Sequence, residues 1–500
     1  MKATLNITDV LSGRAKLEGI RWLLLGPAPR RALRDQLEGL LSAPAMLGSC
    51  RLRRARFKPG RKLTAYYDAL VRREGTVTDC ARPVAVTWES DGPAGRRHEM
   101  ADFAEIQAEA LRQGVAAPFR QLATELPAWR MRIQVSPLDA RFPQLVRLSD
   151  PRYVCGVLAA GASGLASDEP RPRYAVTAIR YRPGQRHVLR YDPEDAAQGG
   201  TVFAKLYTGE DGARVCHVAT RVGEWLAEHG RGVTAVRPVA CVVGDRVVLY
   251  PGLSGGPLSD LLRRPGQGVA RCLERVGAAL HALHRLPLAV AGPLPRHDFA
   301  AEVSEVARAS AHIGVLLPSA GAAASALLDR TRALHARLPA EPPLFTHGDF
   351  KAEHVWATPG GPTLIDFDTC RLGDPALDVG KFLAHLRLWH LAHDQAGLTQ
   401  VQERFLAGYA PGAPEGRLLR ARLWEAVELV KITARRVPLF DPDWTSRTRQ
   451  AIRRAEAVLH ELERTLGLPT TPPAVHGGLE APPTRRCARR PERLRRGARC

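Results

Sequence analysis

The feature that most constrains the fold is a change of periodicity near residue 256. From about 170 to 255 the chain reads in short strand-like runs, at 174–181, 186–191, 201–207 and 246–250. One helical stretch, 212–229, interrupts them. From about 257 to 465 the apolar residues recur at helical spacing, over 269–286, 299–311, 323–338, 376–393 and 415–435. A mostly β block feeding a larger mostly α block predicts an α+β fold of two lobes with a cleft between them.

The segment ahead of these blocks contains a repeat. Residues 56–68 align without gaps on 180–192, with five of thirteen positions identical. Both copies continue in the same order: 84–88 resembles the strand at 202–207, and 100–114 resembles the helix at 212–229. This predicts a degenerate copy of the small β lobe at the N-terminus. The expected division is a cap at 1–165, a small lobe at 166–256, a helical lobe at 257–466 and a basic tail at 467–500. The tail is rich in Pro, Thr and Gly before eight arginines cluster between Arg485 and Cys500, a composition expected to stay disordered.

Composition narrows the function classes. A net charge of +21 invites polyanionic partners, but only eight of the 72 basic residues are lysines and the final 16 residues alone supply +7. No finger, RNP or helix-turn-helix signature accompanies the charge, so nucleic acid is not the expected partner. The nine cysteines form no C-x-x-C pair, which argues against a zinc site and a disulfide framework. No apolar run approaches the ~20 residues of a membrane helix, and the first residues lack the pattern of a secretory signal. A reduced, cytoplasmic protein without a membrane partner is the expectation.

Chemistry concentrates between Phe345 and Asp368. The turn cluster at 358–362 predicts a β-hairpin of 355–357 with 363–365. Residues that enter and leave an antiparallel hairpin lie at the same end, so Asp349 and His354 should meet Asp366. Acids converging in this way suit a divalent cation and a proton acceptor for a hydroxyl that attacks a phosphoryl group.

His347-Gly348-Asp349 with His354, Ile365-Asp366-Phe367-Asp368 and Gly373-Asp374-Pro375-Ala376-Leu377-Asp378 together resemble the aminoglycoside phosphotransferase and choline kinase-type family. The extra N-terminal segment fits a cap that resembles the maltokinase-like branch, or an oligomer contact. The resemblance spans about 170–465 and implies a two-lobed, protein-kinase-like fold. The implied activity is ATP-dependent phosphoryl transfer to a hydroxyl of a small molecule such as a sugar, an aminoglycoside or an amino alcohol. It also implies that Asp349 is the catalytic base, that His347 braces its loop and that Asp378 accepts hydrogen bonds from that loop. Asp366 would hold magnesium, with Asp368 supporting it. Lys205, in an otherwise apolar strand, would reach the nucleotide phosphates, with Glu224 as its partner and Glu210 and Glu228 as competitors.

His354 stands where the family usually has asparagine. An imidazole is a softer ligand than an amide oxygen, which leaves three readings: poor metal binding, a preference for manganese over magnesium, or packing alone. A weakened second metal position is the reading adopted. In the degenerate copy a threonine falls near the place of Lys205, so that copy should not bind ATP.

The turn at 182–186 is expected over the phosphates, and 250–257 as the hinge that holds the base. The acceptor pocket is expected from 300–340 and 380–450, where Arg420, Arg422, Arg435 and Arg436 favour a neutral or anionic acceptor. The histidines at 281, 284, 385, 390 and 393 read as helix faces, and Cys370 as core filling. The rival class is a catalytically impaired binding or regulatory module on the same scaffold.

Overall fold

The computed structural model describes residues 6–72, 79–90, 96–161, 173–195, 199–230, 232–263 and 267–469. Three helices, α1 (Ile7–Ser12), α2 (Lys16–Leu25) and α3 (Pro27–Leu40), lead into the first sheet. That sheet contains β1 (Met46–Lys58), β2 (Lys62–Arg72) and β3 (Cys80–Glu89), then α4 (Arg96–Arg112), then β4 (Ala123–Leu126) and β5 (Met131–Val135). Helix α5 (Pro151–Gly161) precedes the second sheet. It contains β6 (Tyr174–Arg182), β7 (Arg186–Pro193), β8 (Val202–Leu206), β10 (Ala240–Val242) and β11 (Val247–Pro251); α6 (Asp211–His229) and the short β9 (Thr234–Ala235), which pairs with the hairpin strand at 361–364, lie between β8 and β10 in the chain.

The two sheets share one topology. The first is ordered β1-β2-β3-β5-β4 and the second β6-β7-β8-β11-β10, each with a helix after its third strand. The leading hairpins also share a register: Phe57 faces Leu63, and Tyr181 faces His187. Carried one strand further, that register sets Thr87 opposite Thr64 and Lys205 opposite Val188. Thr87 therefore occupies the place of Lys205, and the small lobe is preceded by a degenerate copy of itself.

Strand periodicity decides how the first sheet is buried. Leu63, Ala65, Tyr67, Ala69 and Val71 alternate along β2 and pack with Leu23, Leu24 and Leu37 of the leading helices. The same core takes in Ile313, Leu316 and Trp444 from the helical lobe. On the opposite face Tyr66 and Ala85 join Phe142, Tyr181, Leu189 and Tyr191 in a core shared with the second sheet. Each such apolar side chain contributes about 1.5–3 kcal/mol on burial, which ties the cap to both lobes.

The helical lobe begins with β12 (Gly256–Pro257), α7 (Leu258–Leu262), α8 (Gln267–His284) and α9 (Leu288–Ala291). Helices α10 (Phe299–Leu316) and α11 (Pro318–His335) follow. Next come β13 (Leu344–Thr346), the hairpin β14 (Val355–Thr358) and β15 (Gly361–Leu364), and β16 (Arg371–Gly373). The last helices are α12 (Ala376–His393), α13 (Leu398–Tyr409), α14 (Glu415–Arg436) and α15 (Trp444–Thr465). Helix α11 starts five residues ahead of the apolar pattern because Pro318 fits a first turn. Helices α12 and α14 approach so closely that a Cβ at Gly380 would lie 2.5 Å from the Ala421 carbonyl oxygen.

No helix among the described residues is long and apolar enough to cross a membrane. The expected boundary at 165/166 and the tail from 470 onward lie outside the described residues.

Candidate active site

The hairpin forms as its turn cluster predicts, with Val355 opposite Leu364. The Ile365 N–H donates to the His354 carbonyl at 3.0 Å, which extends the ladder by one residue and sets His354 beside Asp366. Asp366 itself sits in the left-handed region at φ +69°, a conformation that costs roughly 1–2 kcal/mol in a residue with a Cβ and that aspartate tolerates better than most.

The loop carrying Asp349 is held from the first turn of α12. The fully buried Asp378 carboxylate accepts the backbone N–H groups of His347 at 2.7 Å and Gly348 at 2.8 Å. Burial would raise the Asp378 carboxyl, but hydrogen bonding and charge from His284, together with His347, hold it below its ordinary value. Gly348 has φ +74°, and a Cβ there would meet the Thr369 carbonyl oxygen at 2.4 Å, so only glycine fits. His347 Nε2 donates to the Ile365 carbonyl at 3.0 Å, bracing the loop against the end of the hairpin.

Asp349 lies between cations. Lys351 is ion-paired with it, and Lys381 Nζ is 3.5 Å away while also donating to the Gly348 carbonyl at 2.8 Å. Burial works to raise the Asp349 carboxyl, yet Lys381, His354 and Lys351 together hold it well below the usual range. It is therefore a carboxylate at any ordinary pH.

Asp349, His354 and Asp366 each offer a ligand atom within 4.8 Å of the others. His354 Nδ1 is 3.0 Å from the Asp349 carbonyl oxygen, which can only accept, so Nδ1 carries a proton. Burial first, and then the charge of Lys351, push the imidazole down to about 3 against the pull of Asp366, so the ring is neutral. Its Nε2 lone pair then faces Asp366 Oδ2 at 3.1 Å. Two acceptors pointed at each other fit a cation between them, and a carboxylate with an imidazole is a donor set that divalent metals accept.

Lys205 is aimed at the same end of the hairpin. Its Nζ donates to Asp366 Oδ1 at 2.9 Å and Asp368 Oδ1 at 3.3 Å and lies 5.3 Å from the centre of the Tyr250 ring. Burial would lower the ammonium, but Asp366 and Asp368 hold it above its ordinary value. Asp368 also accepts from the Tyr207 hydroxyl at 2.8 Å and is 2.9 Å from an Arg186 guanidinium nitrogen.

One expected role changes. Glu224 does not pair with Lys205; it lies on the outer face of α6, 3.0 Å from Arg221, because Val215, Val218, Val222 and Leu226 take the inner face. Glu210 and Glu228 are likewise exposed. Asp368, expected to support the metal through water, accepts from Lys205 and Tyr207 and pairs with Arg186, next to the cluster of Asp349, His354 and Asp366.

The arginines read as facing an acceptor are also committed elsewhere. Arg420 pairs with Asp374 at 3.0 Å, Arg422 with Glu461 at 2.9 Å, Arg435 with Glu305 and Arg436 with Glu353. Of the segments expected to form the acceptor pocket, 380–450 does border a cavity of about 200 Å³ beside Ala352 and Glu353, lined by His385, Trp389 and Arg436. Ile313, Leu316, Leu317 and Ala320 are instead buried against the first sheet. Cys370 is core filling as read; His284, read as a helix face, is buried and bonded to Tyr409 and Asp378.

Lys351, Lys381, Tyr207 and Arg186 complete the site and were not singled out from the sequence. The scarcity of lysine was a usable signal: Lys205, Lys351 and Lys381 are three of only eight in the chain.

Residues 179–419 match the model of the phosphotransferase enzyme family. The match covers a little under half of the chain. Among solved structures, a choline/ethanolamine kinase family protein from Mesorhizobium loti is 18% identical, with a TM-score of 0.41 over 63% of this chain and 97% of that one. A choline kinase from Cryptosporidium parvum is 11% identical, with a TM-score of 0.44 over 64% and 98%. The GDP and kanamycin complex of the phosphotransferase APH(2″)-IIIa is 14% identical, with a TM-score of 0.42 over 61% and 98%. No curated protein matches the chain.

Proposed function

We propose that this chain moves the γ-phosphoryl group of ATP to a hydroxyl of a small molecule. The observation that carries the reading is the convergence of Lys205, from the second sheet, on Asp366, whose other carboxylate oxygen lies 3.1 Å from His354 in the cluster that includes Asp349. Phosphoryl transfer needs placement and charge neutralisation more than covalent chemistry from the protein.

Asp366, with His354 Nε2 and Asp349 nearby, would hold a divalent cation, magnesium or manganese, which when bound neutralises charge on the phosphate oxygens. Lys205 would turn from Asp366 toward the nucleotide phosphates, its ammonium still within reach of Asp368, which Tyr207 and Arg186 hold in place. Asp349 would orient the acceptor hydroxyl. Because neighbouring cations make it a weak base, it takes the proton late, as the new P–O bond forms. The His347 and Gly348 amides anchored on Asp378 fix where that carboxylate points.

The test is a nucleotide-consumption assay with magnesium or manganese against pooled aminoglycosides, sugars, amino alcohols and nucleosides. Turnover in one pool, abolished by Asp349→Ala, is the expected result. Nucleotide binding without turnover in any pool would move the chain to the rival reading, a binding module on a kinase scaffold.

A further inference from the structure

Four arginines at the seam of the two sheets stand out because they lack acidic partners. Arg54 and Arg56 on β1 face Tyr66 and Thr64 across the strand pair, so they rise from the face that packs on the second sheet. Arg180 and Arg182 on β6 face Val188 and Arg186, and Val188 in turn faces Lys205, so these two share the face of the site lysine. All four are half-buried. Arg54 donates to the Arg435 carbonyl at 3.0 Å and Arg56 to Gln185 Oε1 at 2.9 Å, both uncharged acceptors. The neighbouring Arg186, Arg435 and Arg436 each have a carboxylate, on Asp368, Glu305 and Glu353. Among the described residues, none of the four has one.

Burial and mutual repulsion weaken the hold of this group on its protons: Arg54 is pushed down to about 10 and Arg182 to about 9. Arg182 faces Arg186 across the hairpin, and Arg186 lies 2.9 Å from Asp368, which sets this end of β6 beside the reacting groups. Half-buried guanidiniums with no carboxylate in ion-pair contact form a receptor for an anion.

Topology says which anion. Strand β6 is the edge of its sheet, separated by β7 and β8 from β11, whose end runs into the segment read as the hinge. Lys205 on β8 lies between the two. A nucleotide held by the hinge and by Lys205 therefore points its terminal phosphate toward β6. Arg54 and Arg56 add charge beyond it, from the cap and beside the end of α14.

We infer that the acceptor is itself an anion, a hydroxyl compound carrying a phosphate or carboxylate group, held by Arg54, Arg56, Arg180 and Arg182. This rests on the phosphotransferase reading and gives the cap a share in substrate binding.

Calorimetric titration of the full chain, saturated with magnesium and a non-hydrolysable ATP analogue, would compare sugar phosphates and sugar acids with their neutral parent sugars. At least one anion should bind about tenfold or more tighter than its parent. That preference should be lost in Arg54→Gln/Arg56→Gln and largely restored in Arg54→Lys/Arg56→Lys. The affinity of Arg54→Gln/Arg56→Gln for the ATP analogue should stay within about twofold of wild type.

Equal binding of charged and neutral members would overturn the inference. So would a tenfold loss of affinity for the analogue in the glutamine variant, which would assign the arginines to the nucleotide. A separate titration with inorganic phosphate and no nucleotide reads the cluster alone. Phosphate binding that needs Arg54 and Arg56, in a chain that fails to bind the analogue, would sink the kinase reading while keeping the anion site.

Discussion

The two sheets of this chain have one topology and opposite chemistry. In the second, the third strand carries Lys205, satisfied by Asp366 and Asp368 from the helical lobe. In the first, the same register position is Thr87, a buried hydroxyl 3.4 Å from the Thr64 hydroxyl. A buried ammonium needs anions, and only the second sheet faces a hairpin that supplies them. Thr87 on the first sheet has no such hairpin opposite it, so a small hydroxyl is what its immediate surroundings can satisfy. Fold and charge were thus separable within one molecule: the topology is the same in both sheets, while the ionisable residue sits only where another lobe completes it.

The comparison can be broken most directly at the hairpin. Asp349→Asn should lower acceptor-dependent phosphoryl transfer by about 10²–10⁴-fold while thermal unfolding shows an intact fold. Retained transfer would remove the second sheet's claim to a catalytic partner. Next, Lys205→Met should cost about 10²–10³-fold in kcat/KM, and Thr87→Val, its counterpart in the first sheet, should leave kcat/KM unchanged. Equal losses in both variants would mean that the first sheet also serves the nucleotide.

A third prediction concerns the seam between the first sheet's core and the helical lobe. His312, on α10, is buried with its ring 6.4 Å from that of Trp444, and burial lowers it to about 4 from an ordinary 6.5. The unfolded chain then binds the proton more readily than the folded one. The stabilisation is complete above about pH 6.5 and is lost as the pH falls toward 4, by about 3 kcal/mol in all. Denaturant unfolding across that range should show the loss, and His312→Gln should flatten it. The smallest effect belongs to Glu224→Gln, which removes only an exposed pair with Arg221 and should shift stability by no more than about 0.5 kcal/mol, with unaltered turnover.

Much of the second sheet and the hairpin was legible because the relevant contacts are local. The strands at 174–182 and 186–193, the helix at 376–393 and the hairpin at 355–364 follow from apolar spacing and turn residues a few positions apart. The repeat was legible for the same reason, since Pro59-Gly60 and Pro183-Gly184 mark two turns of one register. The partner of Lys205 was not legible. Nothing near it in the chain distinguishes Glu224 from an aspartate 161 positions away, and the choice turns on which face of α6 is buried. The arginine cluster was hidden for a similar reason: its members come from two strands that only the docking of one sheet on the other brings together.

The sequence by itself determined the order of β and α blocks, the duplicated hairpin, and the meeting of Asp349, His354 and Asp366 at one end of a short turn. Those outcomes depend on periodicity and turn chemistry, which act over a few residues. Only the tertiary structure decided which charges were neutralised. Arg420, Arg422, Arg435 and Arg436 found carboxylates, while among the described residues Arg54, Arg56, Arg180 and Arg182 did not. The physical reason is that a side chain's net charge environment is set by whatever packs against it, and in this chain those neighbours arrive from other lobes.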